Sequence, residues 1–166
     1  MNRQRISPEE LLRRYAAGER NFPNVILSYR HLELSHCNLS GINLKGVNFD
    51  ATYLMGTNLS GADLSGGFID QMNLSEADLS SANLSNTNFY QSSLDSTNLR
   101  GANFSGADLR QAGFQWANLS GANLSGAILK GTSLRKANLT GANLEGVEFK
   151  KVIFEDTIMP DGSIPN

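Results

Sequence analysis

The stretch Ala117-Asn118-Leu119-Ser120-Gly121-Ala122-Asn123-Leu124-Ser125-Gly126 spells one five-residue unit twice. Steps of five outward from Leu119 reach Leu34 in one direction and Met159 in the other. Every residue on that path is Leu, Ile, Phe or Met, and this column is called i. Two residues earlier the chain is nearly always small: Ala62, Ala77, Ala82, Ala102, Ala107 and Ala112 among others, with Thr57, Thr87, Thr97 and Thr132 interspersed. Position i−1 is mostly Asn or Asp, i+1 is often Ser or charged, and i+2 is often Gly.

A helix repeats every ~3.6 residues and a strand every ~2, so a period of five suits neither. It suits a chain that bends once per unit. Residues i and i−2 share one side of an extended segment, and both face inward. Gly or Asn near the bend supplies the positive φ that many turns require. Bends that recur in this way wind the chain into coils, and with four bends to a coil of twenty residues, successive coils stack at about 4.8 Å into a rod of roughly 30 Å. Each unit buries one large and one small side chain, and only stacking completes the core.

The A(D/N)Lxx pattern resembles the pentapeptide-repeat family over about residues 22–159. The resemblance implies an all-β fold, a right-handed quadrilateral parallel β-helix. An N-terminal capping α-helix is expected ahead of it, because Ser7-Pro8-Glu9-Glu10 reads as a capping box with Pro at N1. The helix should span about 8–17, stop at Gly18 and lay Leu11, Leu12 and Tyr15 over the first coil. The expected division is a capping segment at 1–21, repeats at 22–159 and a tail at 160–166. Phe22 and Leu27 also stand five apart, but two residues out of phase with Leu34. They read as an imperfect first coil, with the slip absorbed around residues 29–33. Pro160-Asp161-Gly162 is a turn signal, after which Ile164 is expected to fold back over the last coil. The helix and the MPDGSI ending resemble single-domain members common in cyanobacteria.

One unit breaks the pattern. In Gly67-Phe68-Ile69-Asp70-Gln71, Phe68 takes the solvent-facing i−1 position, and Gly67 leaves the small inward position empty. Met72 is expected to fill that space. The alternative makes Phe68 an anchor for a partner.

Few signs of reaction chemistry emerge. Lys+Arg 14 against Asp+Glu 16 leaves the chain near neutral, which argues against direct nucleic-acid binding. No apolar stretch has the length of a membrane span, and no apolar h-region marks the first twenty residues, so a cytoplasmic protein is expected. His31 and His36, with Glu33 between them, lack the further ligands of a metal site and are expected in solvent. Cys37, the only cysteine, falls in the small inward column and should be an inert core residue. No phosphate-binding glycine loop or nucleophile elbow occurs. A filled solenoid also offers no cleft to perturb a carboxylate. The reading is therefore of no enzyme, catalytic residue, cofactor or metal. The Thr column points inward, which removes an outward ice-binding ladder, and the stacked Asn column reads as structural.

Charge marks one side. No basic residue occurs between Lys45 and Arg100, whereas Arg100, Arg110, Lys130, Arg135 and Lys136 follow. Residues twenty apart stack, so Asp50, Asp70, Tyr90, Arg110, Lys130 and Lys150 form a column that runs from acidic to basic. Gln71, Gln91 and Gln111 form its neighbour. Phe68 and Ile128 share this side, and Tyr53 and Trp116 belong to the adjoining one. The expected partner face is thus Phe68, Gln71, Tyr90, Gln91, Arg110, Gln111, Ile128 and Lys130. The expected function is display of a rigid surface to an unidentified protein partner. The family resemblance implies an alternative, since its quinolone-resistance members mimic DNA and bind type II topoisomerase (gyrase). The acidic belt here is only partial. Ile153 and Ile158, at i−1 in the last coil, are expected beneath the tail or in a weak end-to-end homodimer; otherwise the chain is a monomer.

Overall fold

The computed structural model describes residues 3–28, 34–50 and 53–165. Strand β1 (Arg5–Ile6) leads into helix α1 (Pro8–Ala16), and strands β2 (Ile26–Ser28) and β3 (Asn48–Asp50) follow. These three strands form one parallel sheet in the order β1-β2-β3. Beyond β3 the chain bridges to itself once per unit, always in parallel and always twenty residues on: Asn58↔Asp78, Asp63↔Asn83, Phe68↔Asn88, Asn73↔Ser93. Four such ladders give the rod four sides.

The fate of each backbone amide explains why five residues suffice. In the unit around Leu59, the Leu59 N–H donates to Asp78 O at 2.7 Å and Gly61 N–H to Ser80 O at 2.8 Å, both one coil up. Asn58 N–H donates to Cys37 O, in the coil below, at 2.9 Å. Ala62 N–H closes the turn onto Leu59 O at 3.0 Å. Gly61 sits at φ 65, the left-handed conformation that a type II turn demands at its second central residue. One amide is left, that of Ser60, and the Asn58 side chain accepts it at 3.0 Å. The same bond joins Ser80 to Asp78, Tyr90 to Asn88 and Ser120 to Asn118. Asn or Asp recurs at i−1 because it supplies the one acceptor the stacked backbone lacks.

From Leu34 to Leu139 every residue of column i is buried, and Phe89, Phe104 and Phe114 meet edge to face at 5.8 and 6.0 Å. Thr57, Thr87, Thr97, Thr132 and Thr157 of the small column are buried with them. Thr57 and Thr87 donate their hydroxyls to the carbonyls of Leu34 and Leu64 at 2.8 and 3.0 Å, so neither carries an unpaired polar group inside.

At the N-terminal end, Ser7 Oγ accepts the Glu10 N–H at 3.1 Å and Pro8 opens the helix. Leu11 is fully buried in the core, and the Tyr15 hydroxyl donates to Ser40 O at 2.8 Å. Phe22 and Leu27 are buried too. Their coil pairs with the next at an offset of twenty-two residues (Asn21↔Asn43, Ile26↔Asn48), and the offset is twenty thereafter. The offset changes between β2 and the bridge Asn38↔Asn58, and the slip expected around 29–33 falls outside the described residues.

Three expectations need correction. Ile164 does not cover the last coil: Gly162 N–H donates to Met159 O and Met159 N–H to Ser163 O, a tight turn that leaves Ile164 57% exposed. Leu144 and Phe154 are consequently half-buried and Phe149 is 43% exposed, although Phe149 and Phe154 still pack edge to face at 5.3 Å. The space at Gly67 is filled by Val47 from the coil below, not by Met72. A methyl group on Gly67 would come within 3.2 Å of Val47 Cγ1 and 2.9 Å of Leu64 O. Cys37 is half-buried rather than sealed in the core, because it stands where the regular stack begins.

A candidate interaction face

The four sides of the rod differ, and the i+2 corners show how. One corner carries Gly41, Gly61, Ser81, Gly101, Gly121 and Gly141, and the next Gly46, Gly66, Asn86, Gly106, Gly126 and Gly146. The opposite corners bear long side chains in the same left-handed conformation, among them Gln71, Gln91 and Gln111 on one and Glu76, Trp116 and Lys136 on the other. L-residues pay about 1–2 kcal/mol for that conformation. Most of that cost falls on these two corners, with Ser81 and Asn86 carrying it on the glycine corners.

The two sides that share the glycine corner at Gly61 are closed systems. Their Asn and Asp oxygens accept the next backbone N–H, and several of their amides also bond to the side chain one coil away. Asn83 Nδ2 donates to Asp63 Oδ1 at 3.2 Å, Asn123 to Asn103 at 3.3 Å and Asn98 to Asp78 at 3.1 Å.

The third side is different. Its ladder runs Asn48, Phe68, Asn88, Asp108, Ile128 and Glu148. Phe68 and Ile128, 43% and 50% exposed, replace the acceptor side chain. Among the described residues, the amides of Asp70 and Lys130 consequently have no protein acceptor. Beside this ladder stand Asp70, Tyr90, Arg110 and Lys130; the side chain of Asp50 lies outside the described residues. The Arg110 guanidinium lies 5.5 Å from the Tyr90 ring centroid and 2.6 Å from Asp108 Oδ2. Its hydrogen bonds hold the Asp108 carboxyl below the usual carboxylate range. Gln91 Nε2 donates to Gln111 Oε1 at 2.8 Å. Arg3, from the N-terminal segment, places its guanidinium 5.2 Å from the Phe68 ring centroid, a contact that no sequence pattern signals. Near the C-terminal end, a depression of about 360 Å³ opens between the coils of Ile128 and Glu148, with Lys130 and Lys150 on its rim.

The structure therefore brings the eight expected face residues onto one side and its Gln corner. Tyr53 and Trp116 border the fourth side, both well exposed, with Lys136 5.7 Å from the Trp116 ring centroid. Ile153 is exposed at the end of that side and Ile158 half-buried on the next. His36 is exposed at a left-handed corner against Gly56, and His31 and Glu33 lie outside the described residues. No group of three or more His, Cys, Asp or Glu gathers at metal-binding distance among the described residues. No helix among them is long and apolar enough to cross a membrane.

Parallel one-bridge ladders, left-handed corners and a Leu column define a class, the β-solenoids built from five-residue turns. The chain belongs to the pentapeptide-repeat family, whose model matches in eight copies over residues 33–67, 73–111 and 117–156. That membership implies the right-handed β-helix. The two gaps fall on the irregular units of Phe68 and Gly113. Among solved structures, QnrB1, a plasmid-mediated fluoroquinolone resistance protein, is 22% identical over 82% of this chain and 74% of its own, at a TM-score of 0.50. That likeness shows the fold alone. A pentapeptide-repeat protein of the Arabidopsis thaliana thylakoid lumen is 27% identical over 65% of this chain and 72% of its own, at 0.49. HetL, involved in regulating heterocyst differentiation in the cyanobacterium Nostoc, is 29% identical over 96% and 100%, at 0.38. No curated protein sequence matches the chain.

Proposed function

We propose that this protein is a non-enzymatic rod that displays its third side to a protein partner, with α1 as a cap and no cofactor, in the cytoplasm. A solenoid contributes no moving part; it holds side chains at strand spacing so that a partner meets a preformed surface. The observation that carries the reading is the division of the rod. Two sides are ladders of Asn and Asp that bond from coil to coil, while Phe68, Gln71, Tyr90, Gln91, Arg110, Gln111, Ile128 and Lys130 offer apolar, aromatic and charged groups together. Aromatic and Arg anchors of this kind dominate protein interfaces. The test is a triple variant, Phe68→Ser/Tyr90→Ser/Arg110→Ser, used beside the wild type for affinity capture from the native host. A partner lost from the variant supports the proposal, and an unchanged set of captured proteins removes it.

The second reading is a DNA mimic acting on gyrase. The fold shared with QnrB1 and the acidic residues between Asp63 and Asp95 favour it. Against it, three of those carboxylates act as backbone acceptors: Asp63 to Ser65, Asp78 to Ser80 and Asp95 to Gln115. Phosphate mimicry needs free carboxylates along most of a rod. Inhibition of gyrase supercoiling would establish mimicry, and no effect at excess protein would dispose of it.

A further inference from the structure

The third side has an internal symmetry that points to its occupant. We propose that a second copy of this chain docks there side by side and antiparallel, through a two-fold axis that crosses the rod between the coils of Tyr90 and Arg110. The inference rests on the reading of that side as the docking face and names its partner.

The geometry follows from the ladders. A two-fold axis lying in the contact plane, perpendicular to the rod, reverses the rod's direction while each column stays opposite itself. With the axis midway between those two coils, heights on either side exchange. Tyr90 then faces Arg110 of the second copy, Asp70 faces Lys130, Phe68 faces Ile128 and Gln91 faces Gln111, and each pair occurs twice. Every pairing joins complementary chemistry: cation with ring, acid with base, apolar with apolar, amide with amide. Neither Asp70 nor Lys130 has an ion-pair partner in its own chain among the described residues. Phe68 stands 43% exposed beside Arg3, and opposite it lies the depression of about 360 Å³ between Ile128 and Glu148. The same axis sets the projecting ring against Ile128, which forms one wall of that recess.

Moving the axis by half a coil, onto Tyr90 itself, breaks the match. Phe68 would then meet Asp108 and bury a carboxylate against a ring. A charge column that inverts its sign about the middle of the rod is what a two-fold contact requires. A foreign partner sets no such condition. At about 4.8 Å per coil the contact runs roughly 25 Å, near the small end for specific interfaces. The association is therefore expected to be weak and to weaken further with salt.

Sedimentation equilibrium of the full chain at low and high salt tests this. The wild type should show a monomer–dimer equilibrium. Asp70→Lys and Lys130→Asp should each weaken it about tenfold, because each sets two like charges face to face. The double variant Asp70→Lys/Lys130→Asp should return to within about threefold of the wild type, since the pairs are merely exchanged. Circular dichroism and melting temperature should be the same for all four proteins, which separates lost contact from lost fold. A wild type that stays monomeric overturns the proposal. So do single variants that dimerise normally, as an end-to-end pair through the last coil would, and a double variant no better than the singles. If the wild type is monomeric yet the triple variant loses a captured partner, this inference fails and the docking reading stands. If the dimer forms as described but capture is unaffected, the dimer stands and the docking of a foreign protein falls.

Discussion

The Asp95 carboxylate accepts the backbone N–H of Gln115, one coil above, at 2.8 Å. In most units of the rod the acceptor for that amide is an Asn or Asp two residues before it, as Asn118 is for Ser120, but at position 113 the chain has Gly. A methyl group there would come within 2.9 Å of Asp95 Oδ1. Asp95 and Gly113 are therefore one device: the glycine clears the space and the carboxylate of the lower coil takes over the missing acceptor.

A double-mutant cycle tests that coupling. Asp95→Ala should cost about 1–2 kcal/mol in urea denaturation, because it leaves a half-buried amide without an acceptor. Gly113→Asn alone should also destabilise, through collision with Asp95. Gly113→Asn with Asp95→Ser restores the ordinary unit and should recover most of the loss; additive costs would show that the two positions are independent.

Ser81 interrupts a corner that is otherwise glycine. Its φ of 57 costs an L-residue about 1–2 kcal/mol, against about 0.5–1 kcal/mol of extra chain entropy for glycine. Ser81→Gly should raise stability by about 0.5 kcal/mol, read as a higher denaturation midpoint at unchanged slope. An unchanged or lower midpoint would mean that Ser81 contributes an interaction of its own.

The open end of the rod should respond differently from its middle. Leu119 is fully buried, and Leu119→Ala should cost about 3 kcal/mol. Phe149, 43% exposed in a coil with no further coil above it among the described residues, should cost about 1 kcal/mol as Phe149→Ala. Amide hydrogen exchange offers a second measure. The amides of Leu144 and Phe149 should exchange well before that of Leu119, which donates to Asn138 O at 2.7 Å. Equal protection at both places would show that the end is covered in solution.

Asp108 sets a pH dependence. Its carboxyl is held below the usual range chiefly by the Arg110 side chain, so the unfolded chain takes up this proton at a higher pH than the folded one. The stabilisation is complete above about pH 4 and is lost as pH falls through the lower folded value. Because the pair is exposed to solvent screening, its whole contribution is about 0.2–1 kcal/mol. Asp108→Asn keeps an acceptor for the Arg110 N–H and removes only the charge, so it should flatten this part of the acid limb. An unaltered limb would assign the acid sensitivity to other carboxylates.

What the sequence determined by itself is the direction of each side chain. The period of five assigns Leu119 and Thr87 inward and Asn118 outward, because that choice depends only on a residue's place within its own unit. The same arithmetic aligns Phe68 with Ile128, three coils apart. Only the tertiary structure decided what neighbouring coils do to each other. Asp95 serving Gln115, Val47 filling the space at Gly67, Arg3 over Phe68 and Ile164 turned away from the last coil are all relations between side chains of separate turns. They depend on reach, rotamer and local room, and a pattern that repeats every five residues carries none of these.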